Sequence, residues 1–81
     1  PDPSTQAKDV TKTLSVPLPE TGGVAFIQIL ADGEVVFSDD IDTTMEMLVE
    51  VSVTAKAGES KNMSLYVDGV LQNSWTESFE G

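Results

Sequence analysis

The stretch from Met45 to Ala55 limits the fold more than any other part of the chain. Met45, Met47, Val49, Val51, Val53 and Ala55 alternate with Glu46, Glu50, Ser52 and Thr54, with Leu48 as the one exception. A period of two puts the apolar set on one face of an extended strand, whereas a helix would scatter it around its circumference. Such a strand needs partners to cover its apolar face, and the rest of the chain offers them. Val10, Leu14, Val16 and Leu18 share one face, interrupted by Lys12. Pro17 and Pro19 lack an N–H, which places that strand at an edge or ends it there. Val24 to Leu30 is apolar on both faces except at Gln28, the pattern of a central strand covered on both sides.

Turn chemistry divides these runs. Asp32-Gly33 and Asp68-Gly69 each sit between β-rich flanks, the strongest short hairpin signal. The first returns along Glu34 to Ser38, and "SDDIDTT" then reads as a polar connection holding one buried Ile41. "KAGES" at Lys56 to Ser60 is a loop, and Met63, Leu65 and Val67 alternate again. The last strand carries Leu71, Trp75 and Phe79 through an irregular stretch. The two Asp-Gly pairs lie 36 residues apart, which shared turn chemistry explains without invoking a repeat. The expected fold is therefore all-β: a small antiparallel β-sandwich or partly open barrel of about six strands, Ig-like in general architecture. Phe26, Phe37, Val49, Val51 and Trp75 are its expected core, with Phe79 a further large piece. Residues 1–9, polar and proline-containing, read as a linker, and residues 10–81 as a single domain.

"LPETGG" at Leu18 to Gly23 matches a sortase sorting signal, which is cut between Thr and Gly. A working signal lies near a C-terminus, ahead of an apolar segment and a basic tail. Here five of the six expected strands follow it, and the chain ends in "SFEG". A turn explains the letters: Pro19 ends the strand, and Gly22 and Gly23 permit positive φ.

Composition excludes whole classes of function. There is no cysteine and no histidine, so disulfides, thiol chemistry, Ser-His-Asp triads and the usual zinc ligands are all absent. No serine has a lysine three residues later, which removes a Ser-x-x-Lys pair. Close carboxylates such as Glu46 and Glu50 arise readily when fourteen acids share 81 residues, and their strand face reads as solvated. Asp39, Asp40 and Asp42 would suit calcium in ligand type but lack the EF-hand spacing, and read as a solvated acidic connection. Asn62-Met63-Ser64 is an N-glycosylation sequon, a pattern frequent by chance. Lys12 and Asn73 are the one conceivable pair for a spontaneous isopeptide bond across the first and last strands. No enzyme activity, cofactor or metal is expected.

Fourteen carboxylates face four lysines and no arginine, a net charge of −10. Such a chain repels nucleic acid and anionic membrane surfaces. That charge, together with the proline-bearing edge, favours a monomer. No apolar run approaches the roughly 20 residues of a membrane span. The chain opens at Pro1 without Met and reads as an excised fragment, so any membrane tether of its parent would lie outside it.

"FIQILADGEVVFSDDI" resembles the module "W-V-x-V-x-A-D-G-K-x-V-F-S-G" in the extracytoplasmic C-terminal β domain of RodZ-like bacterial membrane proteins, with Phe26 where that family prefers Trp. "SLYVDGVLQNSW" is similar to the final hairpin of such domains. The resemblance covers about Ala25 to Ile41 and Ser64 to Gln72. It implies a β domain outside the membrane, joined by a linker to a transmembrane helix, that acts through contact with envelope proteins and is connected with cell shape. The alternative is a secreted stand-alone binding or inhibitor protein that adds its edge strands to a partner's sheet.

Overall fold

A computed structural model describes residues 8–80, and these form an all-β fold of six antiparallel strands. The strands are β1 (Asp9–Pro17), β2 (Val24–Ala31), β3 (Glu34–Asp42), β4 (Leu48–Lys56), β5 (Glu59–Val67) and β6 (Val70–Phe79). β1 pairs with β4 in a two-stranded sheet, and the other four form a sheet of order β3-β2-β5-β6. The inward residues follow the period of two: Leu14 and Val16 from β1, Val49, Val51, Val53 and Ala55 from β4, and Ala25, Ile27, Ile29 and Ala31 from β2. Met63, Leu65 and Val67 of β5, Ile41 of β3 and Phe79 of β6 complete the buried set. Burying an aliphatic or aromatic side chain of this size contributes about 1.5–3 kcal/mol, so this interior is the main drive to fold in a chain without cysteine.

Both Asp-Gly pairs make two-residue turns with positive φ at each position, 50° and 84° at Asp32-Gly33 and 51° and 82° at Asp68-Gly69. That is the type I′ geometry whose twist matches a hairpin. Each aspartate also extends the central β2–β5 ladder. Asp32 N–H donates to the Asn62 carbonyl (2.8 Å), and the Asp32 carboxylate accepts from Asn62 N–H (2.8 Å). Asp68 makes the same two bonds with Phe26, both at 2.9 Å. Asp68 stands 36 residues after Asp32, and Asn62 stands 36 after Phe26.

The bulges keep that offset, lying between Ile29 and Leu30 in one hairpin and Leu65 and Tyr66 in the other. The two hairpins are thus related by a pseudo-two-fold axis through the Ile29–Leu65 pair. The axis extends to the smaller sheet. Leu18 N–H donates to the Met47 carbonyl at one end (2.8 Å), and Ala57 N–H to the Lys8 carbonyl at the other (2.7 Å), with partners offset by 39 residues. The matching turns therefore belong to a repeated strand-plus-hairpin unit, a correction to the reading of the turns as independent.

Further expectations change. β2 is central but covered on one face only, since no helix or third layer lies over its outer side among the described residues. Phe26, expected in the core, points outward and is 38% exposed. β3 runs on through "SDDID" to Asp42 because those acids occupy a sheet edge open to water, with Ile41 turned inward. Met45 and Met47 precede β4 and are 80% and 77% exposed: the β1–β4 register ends at Pro17–Leu48, one more backbone bond joins Leu18 N–H to the Met47 carbonyl, and both methionine side chains turn to solvent. Leu71 lies on the exposed side of the β6 bulge. Within the expected linker, Asp9 already opens β1, and residues 1–7 lie outside the described residues.

Candidate functional site

The two sheets meet without hydrogen-bonded strand pairing along either side, which leaves two seams. One lies between β1 and β6, the other between β3 and β4, and the pseudo-two-fold exchanges them. Each seam opens into a groove flanked by two strand edges that make no ladder to each other.

The β1/β6 groove is about 350 Å³ and is lined by Leu14 and Pro17 on one side and Asn73, Trp75 and Glu77 on the other. Next to it a cation bridges the seam. Lys12 Nζ donates to Glu77 Oε2 at 3.1 Å and to the Ser78 carbonyl at 2.9 Å, and sits 5.5 Å from the centre of the Phe79 ring. Trp75 Nε1 donates to the other Glu77 oxygen at 3.0 Å. The lysine that interrupts the apolar face of β1 thus ties the two sheets together. Its hydrogen bonds go to Glu77 and Ser78 and not to Asn73, so the pair conceivable for an isopeptide bond is not assembled. Trp75, half-buried and packed against the core, spends its polar end on Glu77.

The β3/β4 groove is about 440 Å³. Phe37, Ile41, Val49 and Leu48 supply its apolar lining; Ile41 and Val49 are buried, and Phe37 packs half-buried against the core. Carboxylates surround it: Asp39, Asp40 and Asp42 from β3, Glu50 from β4 and Glu46 from the connection between them. No lysine lines it. Asp39 Oδ1 accepts from the backbone N–H of Asp40 at 2.9 Å. Asp42 Oδ1 accepts from Thr44 Oγ1 (2.6 Å) and Thr44 N–H (3.0 Å), and these bonds hold its carboxyl below the usual carboxylate range. Asp42 thus caps the turn after β3 and Asp39 its own neighbour's N–H, and among the described residues no group of three or more acids gathers as metal ligands.

The "LPETGG" segment forms the loop from β1 to β2 and is fastened by Thr43, the single buried polar side chain among the described residues, 3% exposed. Thr43 Oγ1 accepts from Thr21 N–H (3.0 Å) and donates to the Gly23 carbonyl (2.8 Å), which also takes Thr43 N–H (2.9 Å). The Thr21 hydroxyl lies 3.0 Å from that of Thr43. Gly22 has a positive φ of 87°, and Gly23 does not share it, so one glycine carries the reversal expected of both. Of the other residues singled out from sequence, Val49 and Val51 lie in the interior, and Phe37 and Trp75 stand at the two seams. Sequence reasoning did not find the Lys12–Glu77 tie or the role of Thr43, because both join residues far apart in the chain.

No family model matches the chain, and no curated protein or solved structure is significantly similar to it.

Proposed function

We propose that this domain is a non-catalytic protein–protein interaction module, carried in the extracytoplasmic part of a bacterial envelope protein and tethered there by a segment outside these residues. The observation that carries this reading is the pair of seams: β1, β4, β3 and β6 each present a free edge, and two apolar-lined grooves run between them. Free edges accept an added strand through main-chain hydrogen bonds, and grooves beside them select side chains. The lack of histidine and cysteine favours binding over chemistry. The strand order β1-β4 against β3-β2-β5-β6 is compatible with an Ig-like sandwich, an architecture common in contact modules, and so favours the binding reading. The resemblance of Ala25–Ile41 and Ser64–Gln72 to the RodZ-like domain supplies the envelope setting and the link to cell shape.

The test is photo-crosslinking from single positions in the full-length parent protein in living cells. Ser15 and Asp40 stand at the grooves, and Thr54 lies on the exposed outer face of the small sheet. Discrete protein adducts from the groove positions and none from Thr54 are expected. Equal adducts from all three, or none from the grooves, would rule out the seams as contact surfaces. Protection of the domain from external protease in intact cells would contradict the extracytoplasmic setting.

A further inference from the structure

We infer that the β3/β4 groove receives an extended, lysine- or arginine-bearing segment of a partner protein, which adds as a strand at this seam and places its cations on Asp39, Glu46 and Glu50. This rests on the interaction-module reading and names the partner class for one of its two grooves.

Three observations point the same way. The first is the chain's own solution at the equivalent seam. Between β1 and β6, Lys12 lies across the gap, donating to a carboxylate and a carbonyl of β6. The pseudo-two-fold mate of that seam has carboxylates on both sides and no cation.

The second is the distribution of charge. All four lysines fall in the half of the molecule where β1 and β5 begin and β4 and β6 end. The three ion pairs among the described residues lie there too: Lys12–Glu77, Lys56–Asp9 and Lys61–Asp32. The opposite half holds Glu20, Asp39, Asp40, Asp42, Glu46, Glu50 and Asp68 with no lysine. Unbalanced charge of one sign around a groove attracts the opposite sign and speeds its encounter.

The third is the state of the edge. β3 pairs on one side only, and on that strand Asp40 N–H is capped by the Asp39 carboxylate. A capped, acidic edge resists pairing with apolar strands and with other copies of this acidic chain. A partner cation that engages Asp39 draws the carboxylate away from Asp40 N–H and frees that donor for the incoming strand. The apolar lining at Phe37, Ile41 and Val49 suits alternate apolar side chains of such a segment.

The experiment is an NMR titration of the isotope-labelled chain with three synthetic peptides of equal length. One alternates valine and lysine, one alternates valine and glutamate, and one is the lysine peptide with N-methylated backbone amides. The lysine peptide should bind saturably and shift the amides of Phe37–Asp42 and Leu48–Glu50. Its affinity should fall about tenfold when Asp39→Asn and Glu50→Gln are combined, and fall again with added salt. The glutamate peptide should leave the spectrum unchanged, and the N-methylated peptide should bind at least tenfold more weakly, since it cannot complete the ladder. Because Asp39 and Glu50 are exposed, the double variant should keep the native spectrum and melt no lower than the unaltered chain.

Equal binding of the N-methylated peptide would reduce the interaction to diffuse charge attraction and overturn strand addition. Shifts confined to Leu14, Asn73 and Trp75 would overturn the assignment of this groove while leaving the interaction-module reading intact. No saturable binding at either seam, together with absent crosslinks at Ser15 and Asp40 in cells, would sink both.

Discussion

The two seams occupy equivalent places in one repeated architecture, and they have been closed by different chemistry. At β1/β6 a lysine, a glutamate, a tryptophan and a phenylalanine form one connected set, with every polar atom of the contact answered inside the chain. At β3/β4 Ile41 and Val49 make the floor, and carboxylates stand above it with no cation of the same chain to meet them. The pseudo-two-fold places Ile41 where the mate has Glu77, and Asp39 where it has Trp75. Backbone pairing and the inward alternation tolerate that exchange, because both depend on periodicity and not on which side chain fills an edge position. The lesson is that the ladder fixes the frame, and the seams are where the two halves are free to differ.

The sharpest way to break the comparison is to remove one aromatic from each seam. Phe79 is fully buried under Lys12, so Phe79→Ala should cost about 3–5 kcal/mol, enough to unfold much of the population of so small a domain. Phe37→Ala, at the half-buried equivalent edge, should cost roughly half as much. Urea unfolding followed by Trp75 fluorescence measures both. Equal losses would mean that the two seams are equally closed.

Thr43 comes next. Its mate across the axis is Phe79, so a buried hydroxyl ends one half of the repeat where a buried ring ends the other. Thr43→Val keeps the volume but leaves Thr21 N–H and the Gly23 carbonyl short of a partner, a loss of about 1–3 kcal/mol. Amide exchange at Thr21 should accelerate with it. Sortase with a glycine nucleophile should leave the native chain uncut while Thr43 holds Thr21; efficient cutting of the folded chain would show a loop looser than these bonds allow.

Lys12→Met should be milder. It retains the alkyl stem over Phe79 and removes a partly exposed ion pair and its cation–π contact, together worth about 1 kcal/mol. A double-mutant cycle with Glu77→Gln should show coupling that shrinks with salt. The acidic seam predicts the opposite sign: Asp39→Asn with Glu50→Gln should stabilise the free domain by roughly 0.5 kcal/mol or less, as like charges are removed. A loss of stability there would mean that the hydrogen bond from Asp40 N–H to the Asp39 carboxylate outweighs the repulsion among the acids.

Much of the frame could be read from residue order. The Asp-Gly turns, the inward set of β4 from Val49 onward and the burial of Ile41 all follow from periods and turn chemistry that act over a few residues. The rest depends on distance along the chain. Lys12 meets Glu77 across 65 residues, and Thr43 meets Thr21 across 22, so no local pattern announces either. Phe26 misled because aromatic character signals a core, whereas its register in β2 puts it on the uncovered face. Met45 and Met47 continue an alternation whose ladder partner has ended at Pro17. The run "SDDID" looks like a loop by composition, although an edge strand tolerates it. The repeat was visible in principle: Phe26–Asp42 laid over Asn62–Ser78 matches Asp, Gly and Ser and keeps inward apolar residues at Ile27/Met63 and Ile29/Leu65.

The smallest effects are those of pH, and they separate the two ends of the molecule. Asp42 has its carboxyl lowered by the Thr44 hydroxyl and then by Thr44 N–H. A lowered folded value means its contribution is present above the unfolded carboxyl value of about 3.9 and is lost as pH falls through the folded one. Lys56 is raised, first by its hydrogen bond to Asp9 and then by that carboxylate's charge. Its contribution is complete below the unfolded lysine value of about 10.4 and is lost as pH rises through the folded one. Both groups are solvent-exposed, so the stability curve itself should bend little and the site titrations are the better readout. Thr44→Ala should move the Asp42 midpoint upward and leave Lys56 where it is, while Asp9→Asn should lower the Lys56 midpoint and leave Asp42 unchanged. An Asp42 midpoint unmoved in Thr44→Ala would mean that the capping bonds do not set the charge at the acidic end, and that the surrounding carboxylates dominate it.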